Sequence, residues 1–480
     1  MVYILVLAVF LILATFLFLK NSLNRGLYNS TKKLKLPPVV KAWPLVGALY
    51  MLGKDPVNLL KNNYQKYGSV FTIKVLGQSV TLLIGPEVSR HFYTAPESEL
   101  SLEELYKFAI PMFGRNVAFG APTEIRLQQT QFLLKGLRPQ MLRFYVGQIV
   151  TEVEDYFSQW QDSGTIDLVH ELEHLITLTT ARCLLGREVR ENLTEEVSAL
   201  IRDLAGGVLP ISVLFPYLPI RAHNRRDRAR DKLLLIFSKI ISLRKTSPQP
   251  EEDLLQTLLA SRYNNGESIT NEQVSGMLSA ILFVGKHTLS NTAAWTGAYL
   301  LQHKTYFSKV LEEQKALLGR HGLKMEFDIL REMDVLSRCI KEAARIGYPP
   351  IITPRYCRQN FTVTTKEGKE YTIPKGHIVL TSPAVANRAD HVFKDPDRYD
   401  PDRYLSAEEK KMASQPFSYI TFGGGRHTCP GEAFTFIMLK TIWSYLIRNF
   451  ELELVSTFHE GEWNGKEKIL VHYKRRQLSI

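Results

Sequence analysis

Cys429 has the setting that points most directly to chemistry. It lies in Phe422-Gly423-Gly424-Gly425-Arg426-His427-Thr428-Cys429-Pro430-Gly431-Glu432, ahead of an apolar helical run from Ala433 to Phe450. Successive glycines let the backbone turn tightly and approach a flat ligand. Pro430 suits the first position of a helix. Cys429 is therefore expected at a helix N-terminus, where the dipole and free amides favour thiolate. A buried structural cysteine would not need the triple-glycine lead-in. A nucleophilic cysteine needs a positioned base, and His427 is close in sequence but points elsewhere on a tight loop. A dinucleotide loop wants GxGxxG after a strand in a βαβ unit. Axial ligation of haem iron also uses a thiolate held by backbone donors.

Other residues of chemical interest lie on predicted helices. Glu342 and Arg345 are spaced i, i+3, so they can pair on one face; a surface ion pair has the same spacing. Val284-Gly285-Lys286-His287-Thr288-Leu289 falls inside a helix that Thr270-Asn271-Glu272-Gln273 opens as a capped start. That helix is expected to run to about Gln302, on the order of 45 Å at 1.5 Å per residue. A helix glycine and a buried threonine are the plain alternative for Gly285 and Thr288.

The elements that must hold these groups are mostly helical. Tyr145–Gln161 and Lys232–Lys245 carry apolar residues at three- and four-residue spacing. Ser69–Val75 and Ser79–Ile84 flank Gly77 as a hairpin. Asn360–Thr365 and Glu370–Ile373 form a second, and Phe450–Val455 and Ile469–Tyr473 read as late strands. Helices outnumber strands and the strands are segregated, so the fold class is mainly α, of the α+β type. No repeat or long Gly/Ser linker divides residues 46–480, which read as one domain.

The 480 residues include 60 Lys+Arg and 48 Asp+Glu, a net charge of +12. That balance suits acidic partners or an anionic membrane surface and is too dispersed to argue for nucleic acid. An apolar content of 45% supports a large core and excludes disordered and collagen-like classes. Cys183, Cys339, Cys357 and Cys429 are too few and scattered for a disulfide framework, and no CxxC marks a zinc site. Met1 to Leu19 carries no charged side chain, and about 20 apolar residues span a bilayer. Lys20, Arg25, Lys32, Lys33 and Lys35 follow that run, the reverse of a signal peptide's basic start. Residues 1–19 are thus expected to anchor the chain, with the body in the cytosol. Residues 20–45, with Pro37, Pro38 and Pro44, form a stiff basic linker. Apolar Val208–Ile220 precedes Arg221, Arg225, Arg226, Arg228, Arg230 and Lys232. A core-facing loop beside a solvated helix and a membrane-dipping loop beside a phospholipid-facing helix both fit.

The Phe422–Glu432 stretch resembles the haem-binding loop of the cytochrome P450 family, FxxGxRxCxG, with Phe422, Gly425, Cys429 and Gly431 in register. His427 stands where most members have Arg, as in the sterol 14-demethylase branch. Tyr106–Phe119 resembles the substrate-recognition segment of that branch, closest to its plant members. The resemblance covers nearly the whole chain after the anchor. It implies the P450 fold: a long central helix, small segregated sheets and a haem-thiolate loop. It implies haem b ligated by Cys429, O2, and electrons from NADPH through NADPH-cytochrome P450 reductase. Glu342-Ala343-Ala344-Arg345 matches the ExxR element, and Arg403 in Pro401-Asp402-Arg403-Tyr404 would complete a buried Glu–Arg–Arg network. Gly285 would open the helix ladder beside the iron, Thr288 would hydrogen-bond oxygen, and His287 would relay protons. Tyr106, Arg355 and His427 would contact the haem propionates. Phe108, Phe113, Phe119, Gly120, Gly285, Lys286, Leu289 and Thr353 would face the substrate.

Several departures stand out from that pattern, among them Ile346-Gly347-Tyr348-Pro349-Pro350 after Arg345, rearranged from the usual Leu-His-Pro-Pro. Gly120 replaces an acid, Lys286 a Gln, and Leu289 a small hydroxyl residue; Thr353-Pro354 replace aliphatic residues. With the haem contacts kept, they imply a diverged monooxygenase of the endoplasmic reticulum membrane that oxidises a β-amyrin-type triterpene. An obtusifoliol or sterol 14α-demethylase is the alternative. A catalytically silent haem- or sterol-binding protein is the alternative of another class.

Overall fold

Thr270 caps the longest helix, Asn271–Gln302, in both directions. Its hydroxyl accepts the Gln273 N–H at 3.2 Å, and the Gln273 side chain accepts the Thr270 N–H at 3.0 Å. Burial covers most of this helix, which is why it shows no single apolar stripe in the sequence. The computed structural model describes residues 35–40, 55–75, 78–213, 215–246, 251–347, 349–456, 468–476 and 478. The expected anchor and most of the linker lie outside the described residues. Among the described residues no helix is long and apolar enough to cross a membrane.

Among the described residues, the helices of eight residues or more are α1 (Pro56–Tyr67), α2 (Pro86–Thr94), α3 (Thr123–Gly136), α4 (Pro139–Ser158), α5 (Leu168–Thr180), α6 (Thr194–Gly206), α7 (Arg221–Thr246), α8 (Asn271–Gln302), α9 (Lys304–His321), α10 (Asp334–Ile346) and α11 (Glu432–Asn449). α8 runs through the main apolar core, with α5, α7 and α10 against it. α11 crosses it closely. A side chain at Gly297 would come 2.2 Å from the Trp443 ring, whose indole N–H donates to the Ala293 carbonyl at 3.1 Å. The same device seats the Tyr106–Phe119 segment, since a Cβ at Gly276 would lie 2.0 Å from the Phe113 carbonyl.

The strands form separate small sheets. β1 (Val70–Val75), β2 (Gln78–Leu83), β8 (Ile378–Thr381), β5 (Thr353–Cys357) and β3 (Leu100–Ser101) make one sheet in that order. Only β2 and β8 run parallel in it. β4 (Ser163–Asp167), β10 (Leu470–Arg475) and β9 (Phe450–Leu454) make the second, and β6 (Phe361–Thr364) and β7 (Glu370–Ile373) a lone hairpin. Both expected hairpins and both late strands are present, although the turn at Gly77 lies outside the described residues. β3, β4, β5 and β8 carry no clear strand signal. β3 has only two residues and β4 (Ser163-Gly164-Thr165-Ile166-Asp167) is largely polar, while Ile378-Val379-Leu380 of β8 is apolar but only a few residues long.

The basic run on α7 is not one solvated face. Arg226 is fully buried and donates to the Pro216 carbonyl at 2.9 Å, tying the preceding loop to the helix. Arg230 pairs with Glu272 at 2.6 Å. Arg221, Arg225, Arg228 and Lys232 remain exposed.

Candidate functional site

The glycines of the Cys429 loop are there for backbone reasons. Gly423 has φ +74°, and a Cβ on it would come 2.4 Å from the His427 carbonyl oxygen. Gly425 has φ +54° and lies so close to α2 that a Cβ would meet the Tyr93 carbonyl at 2.7 Å. The Cys429 N–H then donates back to the Phe422 carbonyl at 2.8 Å, closing the turn. Phe422 packs beside Phe436 of α11 at 5.9 Å. The loop leaves Cys429 exposed, whereas Cys183, Cys339 and Cys357 are buried.

One expectation about Cys429 is corrected. α11 begins at Glu432, with Gly431 as its N-cap, so the thiol stands ahead of the helix rather than on its first turn. Surrounding protein raises the thiol pKa, and the nearby Glu432 charge adds to that. Backbone N–H groups of Gly431 and Glu432 oppose the rise without cancelling it. A thiolate here therefore calls for a cation bound to the sulfur.

Around the loop sits an excess of positive charge. Arg355 on β5 is 3% exposed, and its Nε has no partner. Its guanidinium lies 5.0 Å over the Phe92 ring, and burial holds its pKa below the usual value. Arg126 on α3 pairs with Glu97 at 2.5 Å but leaves its buried Nη1 unpartnered. Burial, then Arg355, Arg126 and Arg426, push His427 down to about 3, so its imidazole is neutral. Tyr106 lies close enough to Arg355 to feel its charge. This donor set fits a haem: one sulfur for the iron, and, for two carboxylates, the buried Arg355 guanidinium and the unpartnered Nη1 of Arg126. Sequence reasoning missed Arg126, which stands in Ile125-Arg126-Leu127-Gln128 with no motif to mark it.

Behind the loop, Glu342 is completely buried and accepts five hydrogen bonds. Arg345 gives two at 2.8 Å, Arg403 one at 2.8 Å, and the Tyr404 hydroxyl and Asp400 N–H one each at 3.1 Å. Arg345 continues to the carbonyls of Asn387 and Pro396, both at 2.7 Å. Arg403 continues to the Lys394 carbonyl at 2.8 Å. The network thus pins α10 to the irregular segment that leads into the Cys429 loop.

The distal candidates divide by direction. Val284, His287 and Thr288 are exposed at i, i+3 and i+4, an open stripe midway along a largely buried helix. The Thr288 hydroxyl donates to the Val284 and Gly285 carbonyls at 2.8 and 3.2 Å. Contrary to expectation, the helix is unbroken at Gly285; threonine back-bonding leaves the ladder intact. Lys286 points to the other side. It pairs with Glu173 at 2.8 Å and lines a 790 Å³ cleft with His170 and Arg202. Leu289 is 7% exposed and belongs to the core. Neither faces the open stripe.

The remaining pocket candidates form one aromatic patch and its edges. Phe108 and Phe119 stack on Tyr106 at 5.8 and 4.9 Å. Phe113 is buried edge-on against Phe283 at 5.6 Å. Gly120 faces Ile110 so closely that a Cβ would come within 2.9 Å, so an acid there would have to displace it. Thr353 is half-buried and lies near the Tyr93 hydroxyl. Exposed Ile351 and Ile352, just before it, were not singled out from sequence; adjacent Pro349-Pro350 was the only signal.

A family model described as cytochrome P450 matches residues 37–480. Sterol 14-demethylase of Arabidopsis thaliana is 54% identical over 457 residues, which cover 94% of each chain. Obtusifoliol 14-alpha demethylase of Sorghum bicolor is 52% identical over 98% of this chain and 96% of its own. Lanosterol 14-alpha demethylase of Homo sapiens is 36% identical over 92% of this chain and 87% of its own. Among solved structures, cyanobacterial CYP120A1 with retinoic acid bound has a TM-score of 0.79 at 22% identity. It covers 93% of this chain and 100% of its own, a likeness of fold.

Proposed function

The chain belongs to the cytochrome P450 family of haem-thiolate monooxygenases, and on that premise we propose that it is a sterol 14α-demethylase of the obtusifoliol type. The reading is carried by near-full-length identity of 54% and 52% to two plant enzymes named for that reaction. The triterpene reading drew on Gly120, Lys286, Leu289 and Thr353. Two of these, Lys286 and Leu289, point away from the open stripe of α8, so they no longer argue for a changed substrate.

Cys429 would bind the haem iron as thiolate. Arg355, Arg126, His427 and Tyr106 would hold the propionates. Bound there, the haem supplies reductive activation of O2, placing one oxygen atom in the substrate and releasing the other as water. The Thr288 hydroxyl can rotate from the Val284 carbonyl towards a ligand beside α8. His287, exposed one residue before it, can pass protons along the stripe. The aromatic patch of Tyr106, Phe108 and Phe119 offers an apolar wall for a rigid polycyclic substrate. Electrons would come from NADPH through a reductase docking on the Cys429 side, and residues 1–19 would anchor the chain in the endoplasmic reticulum membrane.

The test is turnover by the purified full chain with reductase and NADPH, offered obtusifoliol or β-amyrin, with products identified by mass spectrometry. The expected product is the 14-demethylated sterol. Oxidised β-amyrin with no turnover of obtusifoliol would restore the triterpene reading.

A further inference from the structure

Two charged side chains beside the Cys429 loop have no role in the reading above. Glu432 opens α11, and its N–H donates to the Cys429 carbonyl at 3.4 Å. The thiol leans over this same turn: a Cβ on Gly431, which lies between the two residues, would come 3.7 Å from Sγ. Glu432 is half-buried, and among the described residues its carboxylate has neither a hydrogen bond nor an ion pair. The opposite charge that reaches it is Lys341 on α10. The Lys341 ammonium lies 4.3 Å over the Tyr404 ring and 5.2 Å over the Tyr419 ring, which fix its position. It is half-buried too, and it feels the Glu432 charge without bonding to it.

Stability alone does not account for this arrangement. An acid in the first turn of a helix is favoured by the dipole, but burial works against the Glu432 charge and raises its pKa. Burial likewise works against the charge of Lys341 and lowers its pKa. What singles out Glu432 is its place three residues after the sulfur. Its charge already opposes negative charge on that sulfur.

We propose that the Glu432 carboxylate sets the reduction potential of the thiolate-ligated iron low, and that Lys341 limits how far. The inference rests on the haem-thiolate reading above and adds a tuning residue to it. Reduction adds one electron, supplied by the reductase, to the iron and its sulfur; no bond of the protein forms or breaks. The added negative charge is repelled by a fixed carboxylate, so the ferric form is favoured. Partial burial leaves that repulsion less screened than it would be at an open surface. Lys341 offsets part of the Glu432 charge and acts in the opposite direction. Glu432 thereby governs how readily the site is reduced.

The experiment is a spectroelectrochemical titration of the haem-loaded full-length protein with mediator dyes, without reductase or substrate. Glu432→Gln removes the charge at nearly constant size, and its midpoint potential should rise above that of the unmodified protein. Glu432→Asp keeps the charge and should rise less. Lys341→Gln should move the midpoint down, by less than Glu432→Gln moves it up. Glu195→Gln, which removes an exposed carboxylate on α6, should leave it unchanged. A midpoint that does not rise in Glu432→Gln would overturn the proposal, even if denaturant unfolding shifts, since Glu432 would then serve only the start of α11. An equal rise in Glu432→Asp would overturn it as well, because charge would not be the cause. Where Glu432→Gln holds no haem, Lys341→Gln decides: a fall supports the proposal, and no change or a rise overturns it. The premise is read separately: an unmodified protein without a thiolate-type ferrous–CO spectrum overturns the haem reading before any potential is measured.

Discussion

The two sides of the site are held in different ways. On the proximal side, the Cys429 loop is locked by backbone contacts at Gly423 and Gly425 and braced by a carboxylate with five donors. On the distal side, α8 offers an open stripe whose polar groups bond only to their own helix. A side chain changed in the first region breaks a specific contact. In the second, its effect depends on which way it points. Substitutions can therefore accumulate on α8 without touching the chemistry.

The largest expected effect lies on the proximal side. Cys429→Ala should abolish turnover and the thiolate-type ferrous–CO spectrum. An unchanged spectrum in this variant would break the assignment of the ligand.

Glu342→Ala comes next. It leaves Arg345 and Arg403 buried without their carboxylate, and stranding a buried charge costs roughly 3–5 kcal/mol. We expect denaturant unfolding to shift by about that amount, with little haem retained. A shift below about 1 kcal/mol, the scale of a surface pair, would contradict the burial described here.

Arg355→Ala should be milder. A charge-assisted hydrogen bond is worth about 1.5–3 kcal/mol, or roughly 10- to 100-fold in affinity. Haem transfer to apomyoglobin should quicken on that scale, while the fold, read by circular dichroism, stays intact. Equal transfer rates would remove Arg355 from the haem contacts. Arg126→Ala should behave alike if both guanidiniums serve the same two carboxylates.

The same contrast decides what could be read from the sequence. The Gly-rich loop was legible because its geometry admits few residue types; the Glu342–Arg345 spacing alone fitted a surface pair equally well, and only the family resemblance pointed to a buried network. The Thr270 cap was legible because its two hydrogen bonds are local. Arg126 was not, since nothing near it in sequence reports that it closes on Arg355 and His427. Lys286 and Leu289 were misjudged for a related reason. Proximity to Thr288 along the chain says little about direction, as one residue on a helix turns a side chain by about 100°. Arg226 shows the same limit, being turned inward from a run that reads as a basic surface.

The smallest effect sharpens the comparison most. Lys286→Gln should leave the sterol-induced spectral shift and the product unchanged, because Lys286 faces the Glu173 side of α8. What it should alter is stability, and only at some pH values. Burial pushes the Glu173 pKa up, but the Lys286 hydrogen bond and charge, with His287 and His170, outweigh it and hold the carboxyl below its ordinary value. A depressed carboxylate contributes stability above its unfolded pKa, about 4.3, and loses it as pH falls through the lower folded value. The pair is partly exposed, so its worth is about 1 kcal/mol or less. Unfolding should therefore show Lys286→Gln weaker than the unmodified protein at pH about 7, with the gap closing below pH about 4. A gap that persists in acid would mean that Lys286 acts through packing of its stem. A changed substrate preference in the same variant would place Lys286 at the substrate after all and revive the triterpene reading.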